Sequence, residues 1–275
     1  MITLIAHAKL NLFLDITGKR ADGYHLLETV MQSIDLADIV TVEFTGSGIT
    51  VSCSDPTVPE DEGNICYKAA ELFFALLGKS GGAEIYIDKR VPHGAGLGGG
   101  SADAAAVLRG LNELSEQPFD EKTLLELGAK VGADVPFCMV GGTKLCCGIG
   151  DVMSVEQPYP AGCFLVVKPD FGCDTKAAYA DYDVSMVPRR ERHAGEYYNV
   201  FRAIYKNDEM NGIVKKLKEL GAEGAELTGS GSAVFGAFSD EEAARMAAKR
   251  FPIYFTAVCK PTARGLVRLT TADKI

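Results

Sequence analysis

The sequence predicts an α+β protein of two domains with a ligand cleft between them, and three features carry that expectation. Apolar side chains recur at Leu10, Leu12, Leu14 and Ile16, the two-residue period of a strand. A strand pattern over residues 83–91 runs through a glycine-rich loop into an Ala- and Leu-rich helical stretch over 101–114. Beyond residue 155 short strand patterns alternate with helical ones, so the expected division is 1–155 and 156–275, joined at the EQPYPAG segment. With 275 residues and 47% hydrophobic content the chain can build cores for both.

On the first strand Lys9, Asn11, Phe13 and Asp15 take the alternate face. A lysine and an amide there cost stability if buried without partners, so either that face is solvated or the two groups have a task. The loop over 15–25 ends in Tyr24 and His25, which could clamp a planar base or simply pack at a sheet rim. Strands are expected over 27–33, 39–44 and 49–53, with Gly46 and Gly48 in a hairpin turn between the last two. Helical spacing follows from Asn64 to Leu76 and ends at Gly78. A further helix runs over 120–131. Pro136 disfavours the α conformation at Val135, which puts Asp134 at a bend, where a carboxylate is either a cap or a chemical group. Gly141, Gly142, Gly148 and Gly150 bracket a strand over 143–147. The second half reads as strand 163–168, helix 175–182, a charged link over 188–192, helices near 197–205 and 210–220, strand 233–238, helix 240–251, and strands 253–258 and 265–269.

Composition narrows the function classes. The 28 Lys and Arg against 37 Asp and Glu give a formal charge of −9, which argues against a general nucleic-acid or anionic-membrane binder and requires any phosphate to be held locally. No apolar run approaches a membrane span and the N-terminal stretch has no cleavage pattern, so a cytoplasmic protein is expected. Eight cysteines lie mostly among apolar neighbours with no C-x-x-C pair, as buried free thiols would. Four histidines without H-E-x-x-H spacing offer no zinc site.

The richest chemistry lies in PHGAGLGGGSADAAA, residues 92–106. Few Cβ atoms let the backbone approach a ligand and turn several N–H groups into one concavity, and the helix that follows directs its N-terminus at the same place. Both favour an anion. Gly94, Gly96 and Gly99 formally satisfy G-x-G-x-x-G, but the next helix leads to Pro118 and another helix where the dinucleotide fingerprint needs a strand. No Gly-Lys-Ser/Thr closes the loop as in a Walker motif, and Gly99-Gly100-Ser101-Ala102-Asp103 lacks the last glycine of a nucleophile elbow. A second stretch, LTGSGSAVF over 227–235, is either a tight turn or a partner to the first.

Pro92, Gly96, Leu97, Gly98, Gly99, Gly100 and Ser101, with Ala8-Lys9-Leu10-Asn11-Leu12 and Gly229-Ser230-Gly231, resemble the three motifs of the small-molecule kinases named after galactokinase, homoserine kinase, mevalonate kinase and phosphomevalonate kinase. Residues 8–38 and 132–137 are most similar to the branch acting on cytidyl diphosphate methylerythritol in isoprenoid precursor synthesis. The resemblance implies a first domain like ribosomal protein S5 domain 2, a ferredoxin-like second domain and a site in the cleft between them. It implies ATP and Mg²⁺ as the other reactants, a monomer or weak homodimer, and neither nucleic acid nor membrane as partner. By the same resemblance Asp134 is the general base and Lys9 its neighbour. Pro92, Gly94, Gly96, Leu97, Gly98, Gly99, Gly100, Ser101 and Ala102 cradle ATP phosphates, with Asn64 near the adenine. Asn11 positions the acceptor hydroxyl, while Tyr24 stacks on the cytosine and His25 bonds to it. Thr175 and Tyr179 approach from the second domain, and Gly229, Ser230 and Gly231 close over the phosphates. No protein metal ligand is identified. Thr228 stands where the family's third motif has serine, and Asp151 where glutamate is common. A nucleotide-binding regulator without chemistry, or an NAD-linked oxidoreductase resting on the formal glycine match, are the readings from other classes.

Overall fold

The computed structural model describes residues 1–79, 81–156, 159, 161–185, 187–205 and 207–270. Gln157, Pro158 and Pro160 of the expected domain junction lie outside them. The chain opens with two long strands, β1 (Ile2–Lys19) and β2 (His25–Thr45), so the strands expected over 27–33 and 39–44 are one. They are antiparallel along their whole length, which brings Lys9 opposite Ser33 and Lys19 opposite His25. Next come β3 (Gly48–Cys53), α1 (Ile65–Leu77) and β4 (Gly82–Asp88). The expected hairpin at 46–48 does not form: β4 lies between β2 and β3, and β3 pairs with β4 in parallel. Parallel neighbours need a crossover, and α1 supplies it. Two glycines in a turn are equally compatible with a chain that crosses over a strand inserted later.

Helices α2 (Gly99–Leu114), α3 (Glu121–Val131) and α4 (Val135–Val140) follow, then strands β5 (Thr143–Cys147) and β6 (Val152–Val155). Asp134 lies in a turn as expected, but Val135 opens α4 instead of staying out of the α conformation, because Pro136 sits in the first turn of that helix, where a missing N–H costs no bond. Alanines 102 and 104–106 let α2 lie close on the sheet, and it is buried with Leu4, Ala6, Val40 and Val42.

The remainder comprises β7 (Cys163–Lys168), α5 (Thr175–Val184), β8 (Tyr198–Asn199), α6 (Val200–Ile204), α7 (Asp208–Glu219), β9 (Gly224–Leu227), β10 (Val234–Phe238), α8 (Glu241–Ala248), β11 (Phe255–Cys259) and β12 (Leu266–Arg268). The second sheet is antiparallel in the order β11-β7-β10-β9. With α7 after β7 and α8 after β10 this is the ferredoxin-like arrangement, carrying α5, β8 and α6 as an insertion. The expected unit over 156–275 is not a separate sheet system throughout. β12 returns to pair with β1, and β8 pairs in parallel farther along the same edge of β1, the one not taken by β2. The last strand therefore belongs to the first sheet.

The two sheets share a core. Ala8, Leu10 and Leu12 of β1 are buried with Phe164, Val166, Phe235 and Ala237 of the second sheet. Residues 6–16 are all buried, and the expectation of a solvated alternate face on β1 falls with that. The strand is covered on one side by the second domain and on the other by elements that enclose Lys9 and Asn11. All eight cysteines are free; five are buried, while Cys53, Cys147 and Cys173 are half-buried.

Candidate active site

Two glycine-rich loops meet over β1. A Cβ on Gly96 would lie 2.2 Å from the Thr228 carbonyl oxygen, and one on Gly229 would lie 3.0 Å from Gly96. Gly96 also has a φ of 73°, so its lack of a side chain serves both conformation and contact. The Thr228 hydroxyl donates to the Gly96 carbonyl at 3.0 Å and accepts from the Asn11 N–H at 3.1 Å, so the threonine in place of serine keeps the hydroxyl's bonds. The Ala233 N–H donates to Ala95 O at 3.1 Å, and the Lys9 N–H to Leu97 O at 2.9 Å. Both loops and β1 are thereby one clasp. Gly96→Ala forces it apart at a positive φ; with about 1–3 kcal/mol of strain in play, the ATP KM should rise roughly tenfold or more, measured by initial rates.

Asn11 is the hub beneath this clasp. Its Oδ1 accepts from Lys9 Nζ at 2.6 Å and from the Gly229 N–H at 2.8 Å, while its Nδ2 donates to Thr29 Oγ1 at 2.9 Å. Thr29 in turn donates to the Phe13 carbonyl at 2.7 Å. The amide of Asn11 is thus committed to protein partners and directs the Lys9 ammonium. That ammonium, almost fully buried, lies 3.5 Å from Asp134 Oδ2. Asp134 occupies the position before α4 but makes no capping bond, which removes the cap reading, and its side chain is 31% exposed. A carboxylate that caps nothing and faces a buried lysine is available for proton transfer.

Lys9, Asn11 and Asp134 border a cleft of about 710 Å³. Gly96, Gly98 and Ser101 of the first loop line it, as do Tyr24, His25, Thr175, Tyr179 and Asp183, with Gly229 and Ser230. Thr175 Oγ1 lies 2.9 Å from Ser230 Oγ, linking the start of α5 to the second loop. Gly231 is not part of the cleft wall: a Cβ there would press on Leu227 and Cys173. A second cavity of about 220 Å³ lies along the first loop, bordered by Pro92, Gly94, Gly96, Leu97, Gly98, Gly99, Gly100 and Ser101. Gly96, Gly98 and Ser101 belong to both cavities. Ala102 is wholly buried and its N–H is spent on Gly98 O at 2.9 Å, so it lies behind the cradle.

Asn64 has a different task from a free base contact. Its Oδ1 accepts from the Cys66 N–H at 2.8 Å, capping α1, and its Nδ2 donates to Pro59 O at 2.6 Å. Asn64→Ala should lower stability by about 1 kcal/mol in a denaturant titration, the usual worth of such a cap. Asp151 closes the turn before β6 by accepting from the Ile149 N–H at 3.1 Å.

Of the cleft's lining residues, Tyr24 is 61% exposed. His25 stacks on Tyr179 with centroids 4.8 Å apart and 23° between planes, and its Nε2 lies 2.8 Å from Asp183 Oδ1. Burial holds the Tyr179 hydroxyl well above the usual tyrosine range.

A group absent from the sequence reading lies under the glycine loop. Lys89, at the end of β4, bonds Asp38 of β2 and, at 2.7 Å, Asp103 of α2, all three nearly inaccessible. Asp38 Oδ1 also accepts from the N–H groups of Arg90 and Val91 at 2.6 and 2.8 Å. A Cβ on Gly99 would come within 2.9 Å of Lys89 Nζ, so the ammonium lies directly beneath the start of α2. Charges at 38, 89 and 103 are too far apart in sequence to declare themselves; Lys89 next to a glycine loop is the one hint.

Residues 64–142 match the family model for the GHMP kinases N terminal domain, and residues 192–257 that for the GHMP kinases C terminal. A protein of Clostridium botulinum (strain Eklund 17B / Type B), curated as 4-diphosphocytidyl-2-C-methyl-D-erythritol kinase, is 42% identical over 252 residues, 86% of this chain and 90% of the relative. The chain belongs to the GHMP kinases. A protein of the same name from Acetivibrio thermocellus is 43% identical over 263 residues, covering 90% of this chain and 93% of its own. The crystal structure of a 4-(cytidine 5′-diphospho)-2C-methyl-D-erythritol kinase superposes with a TM-score of 0.80 at 31% identity, covering 94% of this chain and 99% of that one. A GHMP kinase uses ATP as co-substrate, and the small cavity along the loop of this one lies beside a cleft large enough for a second substrate. Among the described residues no helix is long and apolar enough to cross a membrane.

Proposed function

We infer that this GHMP kinase transfers the γ-phosphoryl group of ATP to the 2-hydroxyl of 4-diphosphocytidyl-2-C-methyl-D-erythritol. The observation that carries this is the pair of Lys9 and Asp134, 3.5 Å apart in the cleft wall where the glycine cradle meets the larger cavity. The relatives at 42 and 43% identity bear that substrate in their names, which supports the choice of acceptor.

In this reading the Gly96–Ser101 backbone and the start of α2 hold the ATP phosphates, because N–H groups free of partners and the helix dipole both favour anions there. Asp134 accepts the proton of the attacking hydroxyl, and Lys9 stands where negative charge gathers on that oxygen and the transferring group. Asn11 keeps Lys9 aimed. Tyr24, His25, Thr175 and Tyr179 receive the cytidyl end, and Gly229 and Ser230 border the diphosphate. Mg²⁺ enters with ATP. Among the described residues no three His, Cys, Asp or Glu side chains converge on a metal position, and Asp103, the acid nearest the loop in sequence, is tied to Lys89. Such a donor set suits an ion held mainly by phosphate oxygens and water, with the Ser101 hydroxyl in the cradle as a protein oxygen. The chemistry such an ion would supply is neutralisation of phosphate charge during transfer. The same reading makes the protein a cytoplasmic monomer or weak homodimer. Purified protein with ATP, Mg²⁺ and the cytidyl substrate should release ADP; turnover of mevalonate or homoserine instead would move it to another branch of the family.

A further inference from the structure

His25 is not a free ring at the mouth of the cleft, because one turn of α5 grips it from three directions. Tyr179 stacks on its face at 4.8 Å, Tyr182 meets it edge-on at 5.9 Å and 88°, and Asp183 takes its Nε2 at 2.8 Å. Tyr179 and Asp183 are four residues apart, so a helix presents both on the same face. Tyr179 is itself braced by Phe201, perpendicular at 5.1 Å. The imidazole side chain is only 9% exposed although the Asp183 carboxylate is 36% exposed.

We propose that Asp183 is a positioning residue that fixes the tautomer of His25 and so makes the cleft select cytosine over uracil. A carboxylate oxygen only accepts, so Nε2 must carry a hydrogen and donate it to Asp183. The other carboxylate oxygen is paired with Lys19 Nζ at 2.5 Å, so Asp183 is itself held in place from the first domain. In the neutral ring Nδ1 is then an acceptor, and it has no protein partner among the described residues. An acceptor takes the exocyclic amino group of cytosine and opposes the carbonyl that uracil has at the same carbon. Without Asp183 the hydrogen can sit on either nitrogen, and Nδ1 can donate to uracil as readily as it accepts from cytosine. The grip also predicts that base selection depends on α5 of the second domain, although His25 is on β2 of the first. The proposal rests on the cytidyl reading of the cleft.

The test compares the cytidyl substrate with its uridyl counterpart, which differs only in the base, in the full-length protein. Asp183→Ala should raise the KM for the cytidyl substrate about tenfold with kcat within about twofold, and lower the cytidyl-over-uridyl ratio of kcat/KM about tenfold, since a site arranged to bond one base loses its discrimination with that bond. Asp183→Asn, whose Oδ1 can still accept from Nε2, should keep most of the ratio. The ATP KM should stay unchanged in both, which separates this effect from a loosened cleft. An unaltered base ratio in Asp183→Ala overturns the proposal, as does an equal loss for both bases. A wild-type protein that turns over neither compound would instead sink the functional reading on which the proposal stands.

Discussion

Asp134→Asn should lower kcat by roughly 10²–10⁴-fold while ATP still binds, the range associated with losing a positioned general base. The amide keeps the size and leaves the α4 turn intact, since the carboxylate makes no capping bond. What it removes is the basic oxygen 3.5 Å from Lys9. Steady-state rates with saturating ATP and calorimetry on the same preparation separate the two effects. A variant with nearly normal kcat would take Asp134 out of the proton-transfer role. A loss of ATP affinity as large as the loss of rate would point to a damaged fold.

Lys89→Met should be the most destabilising single change here that touches no proposed substrate contact. It leaves Asp38 and Asp103 facing each other in a buried space, and breaking such a cluster by removing one partner typically costs about 3–5 kcal/mol. Asp103 already shows the strain of the arrangement. Burial pushes its carboxyl up to about 8, against the pull of Lys89 and with a further push from Asp38, and its Oδ1 is buried without a hydrogen-bond partner. An acid whose folded value is raised supports folding at low pH, and that support fades as pH climbs from the ordinary carboxylate range through about 8. The deficit of Lys89→Met should therefore shrink as pH is lowered toward 5, where Asp103, left without its cation, takes up a proton. Denaturant titrations of wild type and variant at several pH values measure this. A deficit that is small, or that does not change with pH, would mean the cluster relaxes by admitting water. Because the same lysine lies beneath Gly99, the variant should also weaken the cradle, visible as a higher ATP KM in the fraction that folds.

The chemistry of this protein was legible wherever it is carried by contiguous residues. The stretch over 92–101 announces an anion cradle because glycine and a following helix have consequences that no tertiary context is needed to see. Helix ends were equally local: the starts expected at Asn64 and Asp120 and the end at Gly78 hold, although the capping bond of Asn64 emerged only with the structure. The pairing of strands was not. Gly46 and Gly48 fit a hairpin, but the place beside β2 is taken by β4, nearly forty residues later, and β12 closes onto β1 from the far end of the chain. Sheet neighbours are set by which edges remain free after other segments have packed, and no local window holds that information.

The sequence by itself determined the glycine-rich loop with the helix that follows it, most of the longer helices, and, through its likeness to the GHMP kinases, the two residues proposed to act on the hydroxyl. Only the tertiary structure decided what surrounds them. Lys9 and Asn11 could have been a solvated strand face, and they are buried because the second sheet covers the apolar side of β1 while the loop at 228–229 reaches across to bond Asn11. His25 could have been free to turn, and it is held by Tyr179, Tyr182 and Asp183 from more than 150 residues away. The difference has one physical origin. Backbone geometry and glycine conformation are fixed by nearest neighbours along the chain, whereas the burial, partners and charge state of a side chain are fixed by neighbours in space.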